Sequence, residues 1–234
     1  MKKTLTLVVM TLVLLAANAQ QKHTVDVWVD GHKTTIENVD SITFLYNAVE
    51  PTDQYVDLGL SVKWAKCNLG ASKEDEYGNH YAWGETAVKE TYNWTTYKFM
   101  TNSALTKYTE TDGKTTLDAA DDAATAVLGS GWRMPTDAEL KELVDNCTWT
   151  WGTLDNGVKG YKVTSNKNGN SIFLPAAGDY DGSSYEDVGV YGGYWANNRP
   201  SSEKEAYYIF FGARSHSKST DYRYAGWSIR PVHP

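Results

Sequence analysis

Side chains that carry catalysis are few in this chain and do not form a recognisable motif. The sequence has five His and two Cys, and it lacks the Gly-x-Ser-x-Gly turn that exposes a serine nucleophile in many hydrolases. A glycosidase needs two carboxylates at a set separation, and Glu85, Glu139 and Asp181 are candidates. Because the chain has 29 acidic residues, such candidates arise by chance. We predict that the protein is not an enzyme, with an undetected hydrolase as an alternative.

One acidic stretch offers the oxygen ligands that Ca²⁺ prefers. Asp179, Asp181, Glu186 and Asp187 all lie in this segment. A solvated acidic loop would have the same composition. We expect no metal and no cofactor, and the segment stays open as a candidate for Ca²⁺.

The C-terminal part of the chain is rich in residue types that proteins use for recognition. Tyr, Trp, Arg and Asn provide rigid contact area and adaptable hydrogen bonds at binding sites. Trp195 either fills the core or belongs to such a surface. The predicted ligand-binding residues are Tyr180, Asp181, Tyr185, Trp195, Asn197, Asn198, Arg199, Arg214, His216, Tyr222, Arg223 and Tyr224. The members expected to be most exposed are Asn197, Asn198, Arg199, His216, Tyr222 and Arg223.

Residues 1–19 have the organisation of a signal peptide. Lys2 and Lys3 precede an apolar run from Leu5 to Leu15, and Ala17-Asn18-Ala19 offers a cleavage site. The run is too short for a stable membrane span, and no later segment is apolar enough for one. We expect an exported protein that is periplasmic, at the cell surface or secreted, without a membrane span in the mature chain.

Charge and cysteine content limit the partners and the covalent bonds of the fold. The net charge is −7, which disfavours a nucleic-acid ligand because binding to phosphates needs a basic face. The expected partner is a protein or a glycan. Export permits a disulfide between Cys67 and Cys147, and two buried free thiols are an equal alternative.

The mature chain divides into a small β unit and a larger domain. Val25, Val27 and Val29 alternate with polar residues, which predicts a strand. Asp30-Gly31 is a tight-turn signal. The expected organisation is a small unit at 20–46 with strands near 25–29, 32–36 and 41–44, a linker at 47–54 and a main domain at 55–234.

The main domain combines two helices with many short strands. Thr136 and Glu139 form a capping-box sequence, which predicts a helix that ends near Asn146. An Ala-rich stretch before Gly129 predicts another helix at 118–128. Strands are predicted at 56–64, 148–154, 158–165, 171–174, 193–198, 205–211, 213–219 and 226–232, with a hairpin at Asp112-Gly113 and loops at 72–104 and 178–193. This pattern indicates an α+β fold with a mainly antiparallel sheet.

A series of motifs occurs in order between residues 55 and 232. It includes Tyr55-Val-Asp-Leu-Gly-Leu-Ser-Val-Lys-Trp64, Tyr81-Ala-Trp-Gly-Glu85, Trp132-Arg-Met-Pro-Thr136 and Gly226-Trp-Ser-Ile-Arg-Pro-Val232. The series resembles the Fibrobacter succinogenes major paralogous domain. The resemblance implies a C-type-lectin-like fold, which is shared by formylglycine-generating enzymes and by the variable binding proteins of diversity-generating retroelements.

The resemblance also separates frame residues from a binding surface. Trp64, Trp83, Trp132 and Arg230 belong to the recurring motifs and are expected to be structural. Arg133 and Arg230 are expected to pair with buried carboxylates, and the candidate partners are Asp121, Glu85 and Asp57.

Two activities known on the lectin-like fold lack their residues in this chain. A formylglycine-generating oxidase needs cysteines in its C-terminal half, and none follows Cys147. Calcium-dependent sugar binding uses Glu-Pro-Asn or Gln-Pro-Asp loops, and neither sequence occurs. The leading hypothesis is therefore an exported recognition protein that binds a protein or a glycan. The alternative is a structural module of a cell-surface or extracellular assembly, with residues 22–46 as a docking unit.

Overall fold

The structure, a computed structural model, describes residues 23–29, 32–39 and 54–234. Two compact units divide between Ala48 and Val49. The predicted signal peptide, the strand at 41–44 and linker residues 47–53 lie outside the described residues. Within the described ranges, no helix has the length and apolar character needed to cross a membrane.

The N-terminal unit contains the predicted β-hairpin. Strand β1 (His23–Val29) pairs antiparallel with β2 (His32–Val39), and the register shifts between His23 and Val25. Both strands extend beyond the residues that alternation alone predicted. Thr24 and Val39, which lie in the added residues, are β-branched and suit a pleated strand.

The main unit has the predicted α+β class, with two α-helices and strands that pair antiparallel. Helix α1 is Ala123–Leu128 and helix α2 is Asp137–Asn146. The strands are β3 (Tyr55–Val56), β4 (Lys63–Ala65), β5 (Met100–Thr101), β6 (Ala104–Leu105), β7 (Cys147–Thr153), β8 (Lys159–Ser165), β9 (Ser171–Pro175), β10 (Asp179–Asp181), β11 (Ser184–Glu186), β12 (Tyr191–Trp195), β13 (Glu205–Gly212), β14 (Ser215–Tyr222) and β15 (Val232–His233).

Three three-stranded sheets form the frame of the main unit. Their strand orders are β15-β4-β3, β7-β8-β9 and β12-β13-β14. The first sheet joins the beginning of the unit to its end, because Val232 pairs with Trp64. The third sheet has β13 at its centre, and β12 and β14 are its two edge strands.

Buried side chains form two clusters. One is mainly aromatic, and its largest members are Trp83, Tyr92, Tyr97, Tyr108, Trp195 and Trp227. The other joins helix α2 to the sheets through Leu140 and Leu143, which pack with Trp64 and Phe211. The side of α2 that carries Leu140 and Leu143 therefore faces the core.

Both predicted helices are present, with locally determined ends. The Thr136 hydroxyl accepts the backbone N–H of Glu139, and the Glu139 carboxylate accepts that of Thr136, which completes the capping box. The stretch predicted as one helix at 118–128 is divided into a short 3₁₀ turn, Ala119–Asp121, and α1. Asp122 causes this division, since its carboxylate caps α1 at Thr125.

The single strand predicted at 56–64 is wrong. The segment is folded back on itself, and β3 pairs with β4. The Asp57 carboxylate accepts the N–H of Gly59 at 2.7 Å, and Gly59 has a φ of +66°. An Asp side chain bonded two residues ahead of itself and a left-handed glycine both favour a turn. Apolar residues continue to alternate through this turn, so the sequence pattern did not indicate it.

Three further predictions are corrected. The expected hairpin at Asp112-Gly113 is a turn, because the Asp112 carboxylate accepts the N–H groups of Tyr108, Thr109 and Lys114. The expected loop at 178–193 contains the hairpin β10–β11. The strand expected at 226–232 is reduced to β15, preceded by isolated bridges.

Cys67 and Cys147 are both free. Cys147 is buried and Cys67 is partly exposed. Burial raises the pKa of Cys147 to about 11 and also raises that of Cys67. Both groups therefore stay protonated near neutral pH, where thiolate chemistry is slow.

Arg230 is buried without a carboxylate partner among residues 54–234, which corrects the expected pairing with Asp121, Glu85 or Asp57. Its guanidinium donates to the Asn68 side chain at 2.9 Å and to the carbonyls of Ala65 and Phe173 at 3.0 and 2.6 Å. These carbonyls belong to strands β4 and β9, so Arg230 joins two sheets.

Arg133 has a carboxylate partner, but it is none of the three expected. Its guanidinium lies 2.6 Å from the Glu139 carboxylate, the group that also caps α2. This pair is partly exposed, whereas Arg230 is only 1% exposed.

These two arginines provide a matched test of the frame. Arg230→Lys removes the planar set of donors and leaves buried carbonyls unpaired, so we expect a loss of about 3 kcal/mol in the free energy of unfolding. Arg133→Lys keeps a charge beside Glu139 and is expected to cost less than about 1 kcal/mol. Urea unfolding measures both, and equal losses would contradict the structural role of Arg230.

Candidate ligand-binding surface

Four of the predicted surface residues are buried. The exposed fractions are 0% for Trp195, 6% for Asn197, 5% for Arg199 and 0% for Arg223. The prediction that Asn197, Arg199 and Arg223 are exposed is therefore wrong, and the core alternative holds for Trp195. Each of the four residues makes a hydrogen bond to a segment that is distant in the sequence, through its side chain or, for Asn197, through its backbone.

The contacts of these residues explain their burial. The Trp195 indole N–H donates to the Tyr81 carbonyl at 2.9 Å. Arg199 donates to the carbonyls of Thr109 and Lys114 at 2.9 and 3.1 Å, and so fixes the preceding loop. The backbone N–H of Asn197 donates to the Pro135 carbonyl at 2.7 Å. The partners are distant in the sequence, so no regular spacing of residue types predicts these hydrogen bonds.

Asn198 is half-buried and serves helix α2. Its side-chain oxygen accepts the N–H of Asp137 at 2.8 Å, and its amide donates to the Asp137 carboxylate at 2.7 Å. The Lys218 ammonium lies 2.7 Å from the same carboxylate. Asn198 therefore extends the cap of α2.

His216 lies near the start of β14, and Arg214 directly precedes this strand. The His216 ring stacks on Trp149 with centroids 4.5 Å apart and an angle of 9°, and it also meets the edge of Tyr161. Arg214 is exposed. His216 thus belongs to an aromatic cluster with β7 and β8.

The remaining predicted residues come together on one surface. Tyr185 and Tyr222 are 41% and 47% exposed, whereas Tyr180 and Tyr224 are half-buried. Trp94, which sequence reasoning placed in a featureless loop, packs on two of these tyrosines. We define the aromatic surface as Trp94, Tyr180, Tyr185, Tyr222 and Tyr224.

A stack of three tyrosine rings connects this surface to the core. Tyr92 is buried and stacks on Tyr180 at 5.2 Å, and Tyr180 stacks on Tyr185 at 4.7 Å with an angle of 9°. The edge of His80 meets Tyr180 and Tyr185. The Tyr185 hydroxyl donates to the Ala177 carbonyl at 2.8 Å. These contacts fix the orientation of the exposed Tyr185 ring.

The second part of the aromatic surface is built around Trp94. Tyr222 and Tyr224 stack with centroids 5.6 Å apart and an angle of 14°. Trp94 presents an edge contact to both, at 6.0 and 5.0 Å. Asn93 holds the loop in place, because its side-chain oxygen accepts the N–H groups of Thr95 and Thr96.

Backbone pairing joins the two parts of the aromatic surface. Tyr180 and Gly226 exchange hydrogen bonds of 3.0 and 2.9 Å. A Cβ atom on Gly226 would lie 2.8 Å from the Tyr180 Cβ and 2.9 Å from the Tyr92 ring. Only glycine allows the segment 222–226 to lie this close to the stack.

Arg223 anchors that segment from within. Its guanidinium lies 4.7 Å from the centre of Trp83, 5.2 Å from Tyr97 and 5.7 Å from Tyr108. It also donates to the Tyr97 hydroxyl at 2.8 Å and to the Glu203 carbonyl at 2.9 Å. Arg223 lies in a turn that the Ala225 N–H closes on the Tyr222 carbonyl at 3.0 Å, and its side chain points inward while Tyr222 stays 47% exposed.

Carboxylates alternate with rings along the hairpin β10–β11, so Asp179, Asp181 and Glu186 lie on the opposite face of the hairpin from Tyr180 and Tyr185. Burial, and then the neighbouring charges of Asp187, Asp221 and Glu186, raise the pKa of Asp179 to about 6. Burial also raises the pKa of Asp221, although its carboxylate accepts the N–H groups of Trp227 and Tyr222 at 2.7 Å. In residues 54–234 no three His, Cys, Asp or Glu side chains are placed to hold a metal ion.

Comparison of the chain with protein-family models, curated proteins and solved structures finds no match. The aromatic surface is therefore interpreted from its own geometry and charge.

Gly226→Ala tests the packing that joins the two parts. We expect a loss of about 2 kcal/mol in the free energy of unfolding, because the new methyl group displaces Tyr92 and Tyr180. The near-ultraviolet circular dichroism of the tyrosine stack should weaken as well. Gly152→Ala is the control, since a Cβ there meets no atom within 4 Å, and it should change stability by less than about 0.5 kcal/mol. Equal effects at the two glycines would contradict the proposed packing.

Asp179→Asn tests the electrostatics of the surface. The pKa of Asp179 is about 6 in the folded state and about 4 in the unfolded chain. The native state therefore binds the proton more tightly, and stability is lost as pH rises from about 4 to about 6. After allowance for solvent screening, the amide should stabilise the protein by about 1 kcal/mol at pH 7.5.

The gain from Asp179→Asn should shrink strongly at pH 4, where the wild-type carboxylate is protonated in the folded state and about half protonated in the unfolded chain. Urea unfolding at the two pH values measures it. Asp155→Asn is an exposed control with the same change of charge. A gain at pH 4 equal to that at pH 7.5 would show that Asp179 is not held in a repulsive site.

Proposed function

We propose that this chain is an exported, non-catalytic recognition protein that binds a protein or glycan ligand through its aromatic surface. The observation that carries the proposal is that Tyr185 and Tyr222 are 41% and 47% exposed while their ring partners are fixed by the core. Rigid, exposed tyrosines supply contact area at a small cost in conformational entropy.

The proposal retains part of the binding surface expected from the sequence. Tyr180, Asp181, Tyr185, Tyr222 and Tyr224 remain, and Trp94 is added. Trp195, Asn197, Asn198, Arg199 and Arg223 become frame residues. We further propose a C-type-lectin-like fold of the major paralogous type, on the ordered motifs between residues 55 and 232, and the α+β class is consistent with that assignment.

A structural module is the second candidate. The hairpin β1–β2 belongs to a compact unit of its own, and its two strands form a separate two-stranded sheet. Strands of such a sheet can pair with a strand of another protein. In that case the N-terminal unit, and not the aromatic surface, would make the essential contact.

A binding screen separates these candidates. Residues 20–234 are tested on a glycan array and against host-surface protein extracts, with and without Ca²⁺. Tyr185→Ala and Tyr222→Ala should each weaken binding about tenfold, because they remove exposed contact area. Tyr55→Ala is the control for the loss of a tyrosine ring, because Tyr55 contacts Trp132 and His233 and does not belong to the aromatic surface. It should leave binding unchanged.

Thermal unfolding shows whether each variant is folded. Binding that survives both surface variants would move the site away from the aromatic surface. The absence of any ligand, with or without Ca²⁺, would favour the structural module.

A further inference from the structure

Negative charge lies beside the part of the aromatic surface that Tyr222 and Tyr224 form. Asp181 is exposed at the end of β10, and Asp221 directly precedes Tyr222. Burial raises the pKa of the Tyr224 hydroxyl, and the charges of Asp181 and Asp221 raise it further. Both carboxylates are therefore close enough to influence this ring. Burial and the charges of Asp187, Asp221, Glu186 and Asp181 likewise raise the pKa of Asp179.

These carboxylates lack basic partners within the described part of the chain. No ion pair among residues 54–234 includes Asp179, Asp181, Glu186, Asp187 or Asp221. Some carboxylates elsewhere in residues 54–234 are in ion pairs. Asp121 meets Lys98 and Lys107, and Asp137 meets Lys218. Like charges held together repel one another, and a positive ligand would relieve that repulsion.

Tyrosine faces of this fold already accept cations. The Lys218 ammonium lies 4.5 Å from the centre of Tyr207, and the Lys89 ammonium lies 5.3 Å from that of Tyr92. Arg223 lies among aromatic rings in the same way. The electron-rich faces of Tyr222 and Tyr224 offer this interaction to a cation from outside. A neutral sugar would stack on the rings but would leave the carboxylates uncompensated.

The unpaired acids come from three places in the fold. Asp179 and Asp181 belong to β10, Glu186 and Asp187 to the end of β11, and Asp221 to β14. Carboxylates that are spread over three elements can each contact a different positive group of one ligand. A basic stretch of polypeptide presents its charges in this way.

We propose that the aromatic surface binds a lysine- or arginine-rich segment of a partner protein, with a positive group against Tyr222 and Tyr224 and beside Asp181 and Asp221. This inference rests on the proposed function and names the class of its ligand. Charge gives the complex its specificity and its dependence on salt, and the rings give it a fixed place.

The test uses the chain without residues 1–19 and fluorescently labelled hexalysine, hexaarginine, hexaglutamine and a chitosan oligomer. Fluorescence polarisation measures each dissociation constant. We expect the two basic peptides to bind and hexaglutamine not to bind. Tyr222→Ala should weaken peptide binding about tenfold without a change in protein charge. Asp181→Asn should weaken it about fivefold, and Asp155→Asn should leave it unchanged.

Several results would overturn the inference. Equal effects of Asp181→Asn and Asp155→Asn would mean that the peptide responds only to net charge. Binding of chitosan in preference to both peptides would assign the surface to a cationic glycan. If a ligand from the array depends on Tyr222 but neither peptide binds, the recognition function stands and this inference fails. If no ligand of any class depends on Tyr222, both fail.

Discussion

The arrangement of the main unit depends on the burial of the Arg223 guanidinium. Removing such a charge from water costs several kcal/mol, and no carboxylate of residues 54–234 pairs with it. The cost is offset by hydrogen bonds to the Tyr97 hydroxyl and the Glu203 carbonyl, and by the faces of Trp83 and Tyr97. These partners come from separate loops, so a single side chain sets the positions of segments that no regular element holds.

The aromatic surface follows from this anchor. Arg223 holds the turn at 222–225 from within, and the rings of its neighbours Tyr222 and Tyr224 stack on each other outside it. Gly226 brings the same segment against the tyrosine stack. The outer rings therefore rest on a rigid interior while their faces stay open to solvent. Arg230 has the corresponding role between strands β4 and β9. The fold thus uses buried arginines as connectors between remote segments.

Local signals in the sequence predicted the local structure well. The capping box of α2 and the hairpins of β7, β8 and β9 involve residues close together in the chain. The sequence failed where partners are remote. Arg199 and Arg223 seemed to be exposed because a carbonyl acceptor leaves no trace in composition or spacing. Trp94 was missed because the two surface rings that it contacts, Tyr222 and Tyr224, lie more than a hundred residues away. The carboxylates of the surface were found, but their lack of basic partners is visible only in three dimensions.

Hydrogen exchange of the arginine Nε–H groups, followed by NMR near neutral pH, tests the anchoring role of Arg223 most directly. The Nε–H of Arg223 donates to the Tyr97 hydroxyl beneath a ring cage, whereas Arg214 is exposed. We expect the Arg223 proton to exchange orders of magnitude more slowly than that of Arg214, and to be shifted by the ring currents of Trp83 and Tyr97. Exchange of Arg223 at the rate of Arg214, without a ring-current shift, would contradict the account.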